Sequence, residues 1–396
     1  MGTYDFDTLQ DRRGTDCIKW DQAKERGHEP DELPLWVADM DFQSPPEVIE
    51  ALHKRVDHGI FGYTDPGEGY TYALIEWFGY HYEWIPDKSW CINVPGVVYA
   101  LAQAVKAFTN PGDAVIIQRP VYYPFTSVIE TNNRAVANSP LVYDPKTSTY
   151  SIDFEDFERT IEKYDAKLFL LCNPHNPGCR AWTKDELRRL GDICARHNVI
   201  VVSDEIHADF VWEPYKHASF ASLSEELADI SVTCTSASKS FNLAGLQVAT
   251  VVIPNEELRA KFKVANEASG YSQANIMGLV AAEAAYAKGQ LWLDEVKEYI
   301  QGNMDVVKTY LKETPALKLV EFQATYLPWI DCMGLGLTNE ELTKLVTKDA
   351  KLWLDMGTIF GREGEGFIRL NIATQRSIVE DAMQRLTGAV KALESE

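Results

Sequence analysis

The chain has 396 residues, 45% hydrophobic and 24% charged, with a formal net charge of -21. Single cores rarely grow beyond about 250 to 300 residues, so this length predicts two domains. The acidic balance, with no basic stripe to override it, excludes nucleic acid as an expected partner. No run approaches the roughly 18 apolar residues of a membrane span and the N-terminus lacks a signal-peptide core, so a cytoplasmic protein without a membrane partner is expected.

In chain order, residues 1–45 form an N-terminal arm that also contributes to a small domain, with LPLWVADMDF (33–42) extended against one of the two domains. Residues 46–290 read as a large domain. From about residue 90 to 250 short apolar runs alternate with turns and helix-like segments: WCINV (90–94), AVIIQ (114–118), KLFLLC (167–172), VIVVSDEI (199–206), ISVTCT (230–235) and VATVVI (248–253). That alternation predicts an α/β fold with a mainly parallel sheet between helices. VVYALAQAVKAF (97–108) and KDELRRLGDICARHN (184–198) are the clearest helices, the latter opened by a capping box from Thr183 to Glu186. After about residue 290 a long amphipathic stretch and short strands predict a smaller α+β domain, residues 291–396. The seven cysteines are scattered and contain no CxxC pair, so neither a metal site nor a disulfide framework is expected, and Cys172 and Cys234 read as core residues.

In open parallel sheets ligands bind at the carboxyl ends of the strands. The polar residues that stand out cluster there: PGVV (95–98), RPVYYPF (119–125), NPHNPG (173–178), SDEIH (203–207) and SASK (236–239). Singly, each has a plain explanation as a turn, a cap or packing. Together they supply a phosphate-cradling turn, an aromatic ring, an asparagine, a strand-end carboxylate and a lysine beside serines. Those are the groups that pyridoxal 5'-phosphate requires: donors for its phosphate, a carboxylate for its ring nitrogen and an amine for its aldehyde.

At these residues the sequence resembles the fold-type I pyridoxal-phosphate enzymes of the aminotransferase class I/II superfamily, and more closely the MalY/PatB branch of cystathionine β-lyases (cysteine-S-conjugate β-lyases). The resemblance runs from WVADMDF to RLNIAT (369–374) and includes FGYT (61–64), LCNPHNPG and SASKSFNLAGLQ. It implies a large domain with a mainly parallel seven-stranded sheet, a smaller α+β domain, and α,β-elimination on a sulfur amino acid. Carried over residue by residue, Lys239 is the Schiff-base lysine and proton shuttle, and Asp204 pairs with the pyridinium nitrogen. Asn176 bonds the phenolic oxygen and Tyr122 stacks on the ring. Val97 and Val98 beside Gly96, together with Ser236 and Ser238, hold the phosphate. His207 belongs to the cofactor site, and Arg369 clamps the substrate α-carboxylate near Asn176 and Ala38. A homodimer is also implied, with Tyr63 reaching the phosphate from a partner subunit.

Gln247 stands where many aminotransferases carry a phosphate-binding arginine, eight positions after the lysine, and His207 where they carry tyrosine. Both choices match the lyase branch. GCR (178–180) departs from it and puts the local loop shape in question. An aminotransferase shares every cofactor contact and is the alternative reading. A regulatory protein retaining the site is another. Ser236-Ala-Ser-Lys239 also matches the S-x-x-K of serine β-lactamases, but no K-T-G accompanies it and Ser203-Asp204-Glu205 occupies the S-D-N place.

Overall fold

The computed structural model describes residues 2–395. Its centre is a seven-stranded sheet built from β1 (Cys91–Val94), β2 (Ala114–Ile117), β3 (Ala135–Asn138), β4 (Leu168–Cys172), β5 (Ile200–Asp204), β6 (Ser231–Thr235) and β7 (Ala249–Val252). The order is β1-β7-β6-β5-β4-β2-β3. Only β7 runs against its neighbours; the other pairings are parallel. Every residue of β2, β6 and β7 is buried, as expected of a sheet with helices on both faces.

Six of the strands coincide with the apolar runs of the sequence. β3 does not: its residues, Ala-Val-Ala-Asn, lie at the sheet edge and only Ala137 among them is buried, so no continuous apolar run announces it. The fourth run stops at Asp204 rather than continuing to Ile206, because the chain turns there. Helix α1 (Val97–Phe108) covers the predicted span, and α2 (Lys184–Arg196) opens with the predicted capping box: Glu186 N donates to Thr183 Oγ1 at 3.1 Å, and Thr183 N to Glu186 Oε2 at 2.8 Å.

Beyond α3 (Gln290–Lys312) lies a second, antiparallel sheet of β8 (Lys318–Leu319), β9 (Trp329–Asp331), β10 (Asp355–Met356) and β11 (Phe367–Arg369), ordered β8-β9-β11-β10. Helix α3 packs with α4 (Arg376–Glu394) in the same region.

The arm contacts both regions rather than one. Leu33–Pro34 pairs in parallel with Leu352–Trp353. Further on, Asn371 Nδ2 donates to the carbonyls of Val37 and Asp39 at 2.5 and 2.6 Å, and Asn242 Nδ2 donates to those of Met40 and Phe42 at 3.0 and 2.9 Å. WVADMDF, KSFN and RLN are thereby one connected structure. The arm's carboxylates are held in turn: Lys19, fully buried, reaches Asp41 at 2.5 Å, and Arg12 bridges Asp39 and Asp41 at 2.6 and 2.9 Å. No described helix is long and apolar enough to cross a membrane.

Candidate active site

The carboxyl ends of β4, β5 and β6 open onto a cavity of about 690 Å³. Gly96, Val97, Val98, Tyr122, Asn176, Asp204, His207, Ser236, Ser238, Lys239 and Ala38 all line it. Topology explains the convergence: parallel strands present the same end, and each is followed by one of the turns singled out in the sequence.

At one end of the cavity lies the N-terminus of α1. Gly96 is its N-cap and no side chain caps the helix, so the first-turn N–H groups are left to the cavity and make an anion cradle. A Cβ added at Gly96 would meet no atom within 4 Å, because the space beside it is open. Ser238 also lines the cavity. Ser236 does too, but its Oγ donates to the Val248 carbonyl at 2.6 Å and accepts from Ser238 N at 3.1 Å, capping the short helix that carries Lys239. In this rotamer Ser236 has no proton to give a phosphate, unlike the donor role the resemblance implies.

Lys239 Nζ donates to the Ala38 carbonyl, which also accepts from Tyr326 Oη at 3.0 Å. Burial depresses the ammonium to about 8; the Arg369 charge adds to this, while Asp39 and Asp204 oppose it. Asp204 closes β5 and accepts from Ile206 N at 3.2 Å. Burial lifts its carboxyl to about 7 against that bond and the attraction of Lys239, with Glu205 raising it further. A cation opposite Asp204 would hold it ionised. Burial, then the charges of Lys239 and Arg369, keep His207 well below its usual range; its Nδ1 is buried without a partner among the described residues.

Arg369, at the end of β11, stands one layer behind the wall. Its Nη1 donates to Asn176 Oδ1 at 2.9 Å, its Nη2 to the Trp36 carbonyl at 3.0 Å and to the Asp355 carboxylate, and its guanidinium lies over the Phe360 ring at 4.8 Å. Asn176 thus links the cavity to the arginine.

A sequence profile describing aminotransferases of class I and II matches residues 30–386. The chain belongs to this family. Within it, the chain is 44% identical over 386 residues to the cystathionine β-lyase PatB of Bacillus subtilis, covering 97% of this chain and 99% of the relative. Two solved structures share the fold closely. A pyridoxal-phosphate-bound protein of Clostridium difficile 630, provisionally described as an aminotransferase, superposes with a TM-score of 0.95 at 39% identity, covering 98% of this chain and 100% of that one. Cystalysin of Treponema denticola, which contains pyridoxal 5'-phosphate, gives 0.94 at 36% identity over 98% and 99%.

The cavity suits the flat anionic aldehyde found in these family members. Unpaired N–H groups at the start of α1, the Ser238 hydroxyl, the buried Asp204 carboxyl and the Lys239 amine all belong to its lining. Gln247 lines the wall as well. The GCR loop is firmly held: Cys179 is buried, and Arg180 pairs with Glu186 at 2.8 Å and Gln323 at 2.9 Å. Cys172, read as core, is buried but also borders the cavity, its thiol pushed up by burial and by Asp204.

Of the expected site residues, Arg369 does not line the cavity and reaches it through Asn176, and Tyr63 is not brought to it by this single chain. Tyr63 is 94% exposed and borders a separate surface depression with Phe61 and Tyr271. Asp355, Asp39 and Tyr326 are the contributors that the sequence did not single out. Each acts through a contact made by folding; Asp355 and Tyr326 sit in no recognisable string, and Asp39 lies within WVADMDF without that string giving it a role.

Proposed function

We propose that this family member is a pyridoxal-phosphate-dependent carbon–sulfur β-lyase, which eliminates the thiol from L-cystathionine or a cysteine S-conjugate to give a thiol, pyruvate and ammonia. The observation that carries the reading is the convergence of Lys239, Asp204 and Asn176 on one cavity, in a chain 44% identical to a cystathionine β-lyase.

Val97 and Val98 N–H and the Ser238 hydroxyl would hold the phosphate, Tyr122 the ring face, Asn176 the phenolic oxygen, Asp204 the ring nitrogen and Lys239 the aldehyde carbon. Pyridoxal phosphate, when bound, supplies an electron sink for charge developing at the substrate α-carbon. Lys239 Nζ, neutral once its proton is gone, takes the α-proton as general base; burial, which already favours the neutral amine, prepares it for this. Asp204 stays ionised opposite a protonated nitrogen. Arg369 and Asn176 orient the α-carboxylate, the arginine through its fork of donors. The thiolate departs from the β-carbon, and the enamine released into water hydrolyses to pyruvate and ammonia.

We further propose a homodimer in which Tyr63 reaches the phosphate of the neighbouring copy; its exposure alongside Ile60 and Phe61 supports this. A cytoplasmic location and a division into arm (1–45), large domain (46–290) and small domain (291–396) belong to the same reading.

The family's description favours one other reading, an aminotransferase with the same cofactor contacts. The two differ in co-substrate, so the test is pyruvate release from L-cystathionine with and without a keto acid. Turnover that requires the keto acid would establish the aminotransferase instead.

A further inference from the structure

Arg369 and Asp355 stand directly opposite each other across the antiparallel pair β11 and β10, at 3% and 7% exposure. A guanidinium has five N–H groups, and a carboxylate can engage it at two points only through Nη2, paired with Nε or with Nη1. Here both Nη2 protons are taken, by the Trp36 carbonyl and by Asp355. Nη1 gives one proton to Asn176, and Nε is buried without a partner among the described residues.

An α-carboxylate that grips Arg369 at two points must therefore evict one of the two acceptors on Nη2. The Trp36 carbonyl belongs to backbone pinned on its C-terminal side by Asn371 and on its N-terminal side at Leu35, whose N–H donates to the Trp353 carbonyl at 2.9 Å. Asp355 is a side chain with rotatable bonds, and it carries the charge that repels the incoming group. We propose that Asp355 is the resident counter-carboxylate of Arg369, displaced by the α-carboxylate of an amino-acid substrate, and that it thereby sets how tightly the site accepts carboxylates. This rests on the reading of Arg369 as the carboxylate clamp.

The titratable groups facing Asp355 are Arg369 on β11 and the hydroxyls of Tyr122 and Tyr123, with Arg26 of the arm beyond Tyr123. Burial raises the Asp355 carboxyl and Arg369 works against that rise. Once separated from Arg369 it is left buried and uncompensated, so it takes up a proton. Carboxylate binding is then accompanied by proton uptake and weakens as pH rises.

The test is calorimetric titration of the holoenzyme with methylthiopropionate, a substrate-shaped acid without an amine, and with its carboxamide. Asp355→Asn should bind the acid about tenfold more tightly than the wild type, with amide binding unchanged, because only the charged competitor has been removed. Acid binding that is unchanged, weaker, or undetectable in both proteins overturns the proposal. Should Asp355→Asn fail to fold, Asp355→Ser removes the same charge, and the wild type decides independently: its preference for amide over acid should grow with pH, and a flat ratio overturns the proposal. A pyruvate assay on the same preparations separates the two readings. Wild type that makes no pyruvate removes the lyase assignment, while the comparison of acid with amide still decides the role of Asp355.

Discussion

The amine of Lys239 is hydrogen-bonded to the carbonyl of Ala38, a residue 201 positions earlier in the chain. The bond joins the lysine loop to an arm that is itself tied to Asn242 and Asn371. Closure of the site therefore depends on the N-terminal arm as much as on the central sheet.

Lys239→Ala should abolish the visible band of the lysine-linked cofactor and cut turnover at least about 10³-fold, since no other amine among the described residues lines the cavity to replace it. Spectroscopy and a lactate-dehydrogenase-coupled pyruvate assay check both outcomes. Retention of the native band would assign the aldehyde to another group.

The free Lys239 amine, lowered to about 8 chiefly by burial, is mostly protonated at pH 7 and mostly neutral at pH 9. Only the neutral amine attacks an aldehyde. Reconstitution of cofactor-stripped protein, followed by its visible absorbance, should thus accelerate as pH rises through about 8 and level off above it. A rate independent of pH between 7 and 9 would contradict the lowered value.

Asp204→Ala should leave the cofactor attached and reduce turnover about 10²- to 10³-fold, because a neutral ring nitrogen makes a poorer electron sink. The kinetics of the purified variant, reconstituted to full occupancy, measure this. Unchanged kinetics would mean that another group protonates the ring.

Gly96→Val places a side chain in open space at the phosphate cradle. The extended φ of 175° at Gly96 accommodates any residue, so stability should change by no more than about 1 kcal/mol in urea. Loss of one charge-assisted hydrogen bond, about 1.5 to 3 kcal/mol, should weaken cofactor affinity at least about tenfold. Equilibrium dialysis against the free cofactor reads the change.

Lys19→Met removes a fully buried cation from Asp41 and should destabilise the protein by about 3 kcal/mol in urea. Burial pushes the Asp41 carboxyl up, but Lys19 and Arg12 outweigh it and hold the group below its ordinary value. The contribution is complete above the unfolded-state pKa and disappears as pH falls through the lower folded one. The gap between variant and wild type should accordingly narrow in acid.

Much of this architecture is legible in the chain because parallel strands buried on both faces must be apolar throughout. β4 to β6 therefore announce themselves as runs, and the strings that follow them mark the cavity. β3 is an edge strand with partly exposed residues and leaves no such signature. Lys239, Asp204 and Asn176 can be read because each closes or follows a strand in a distinctive string. Asp355 cannot, since its significance comes from lying opposite Arg369 across two short strands. The hydroxyl proton that Ser236 gives to Val248 depends on how the lysine loop packs against β7, which local sequence does not specify. Lys19 likewise has no local signature, since its burial against Asp41 is a contact made as the arm folds.

The central claim is best tested by incubating the cofactor-loaded protein with L-cystathionine, in the absence of any keto acid, and measuring pyruvate and free thiol. The account predicts the two in equal amounts over many turnovers. No pyruvate without an added keto acid, or a single burst limited to one equivalent per site, would contradict it.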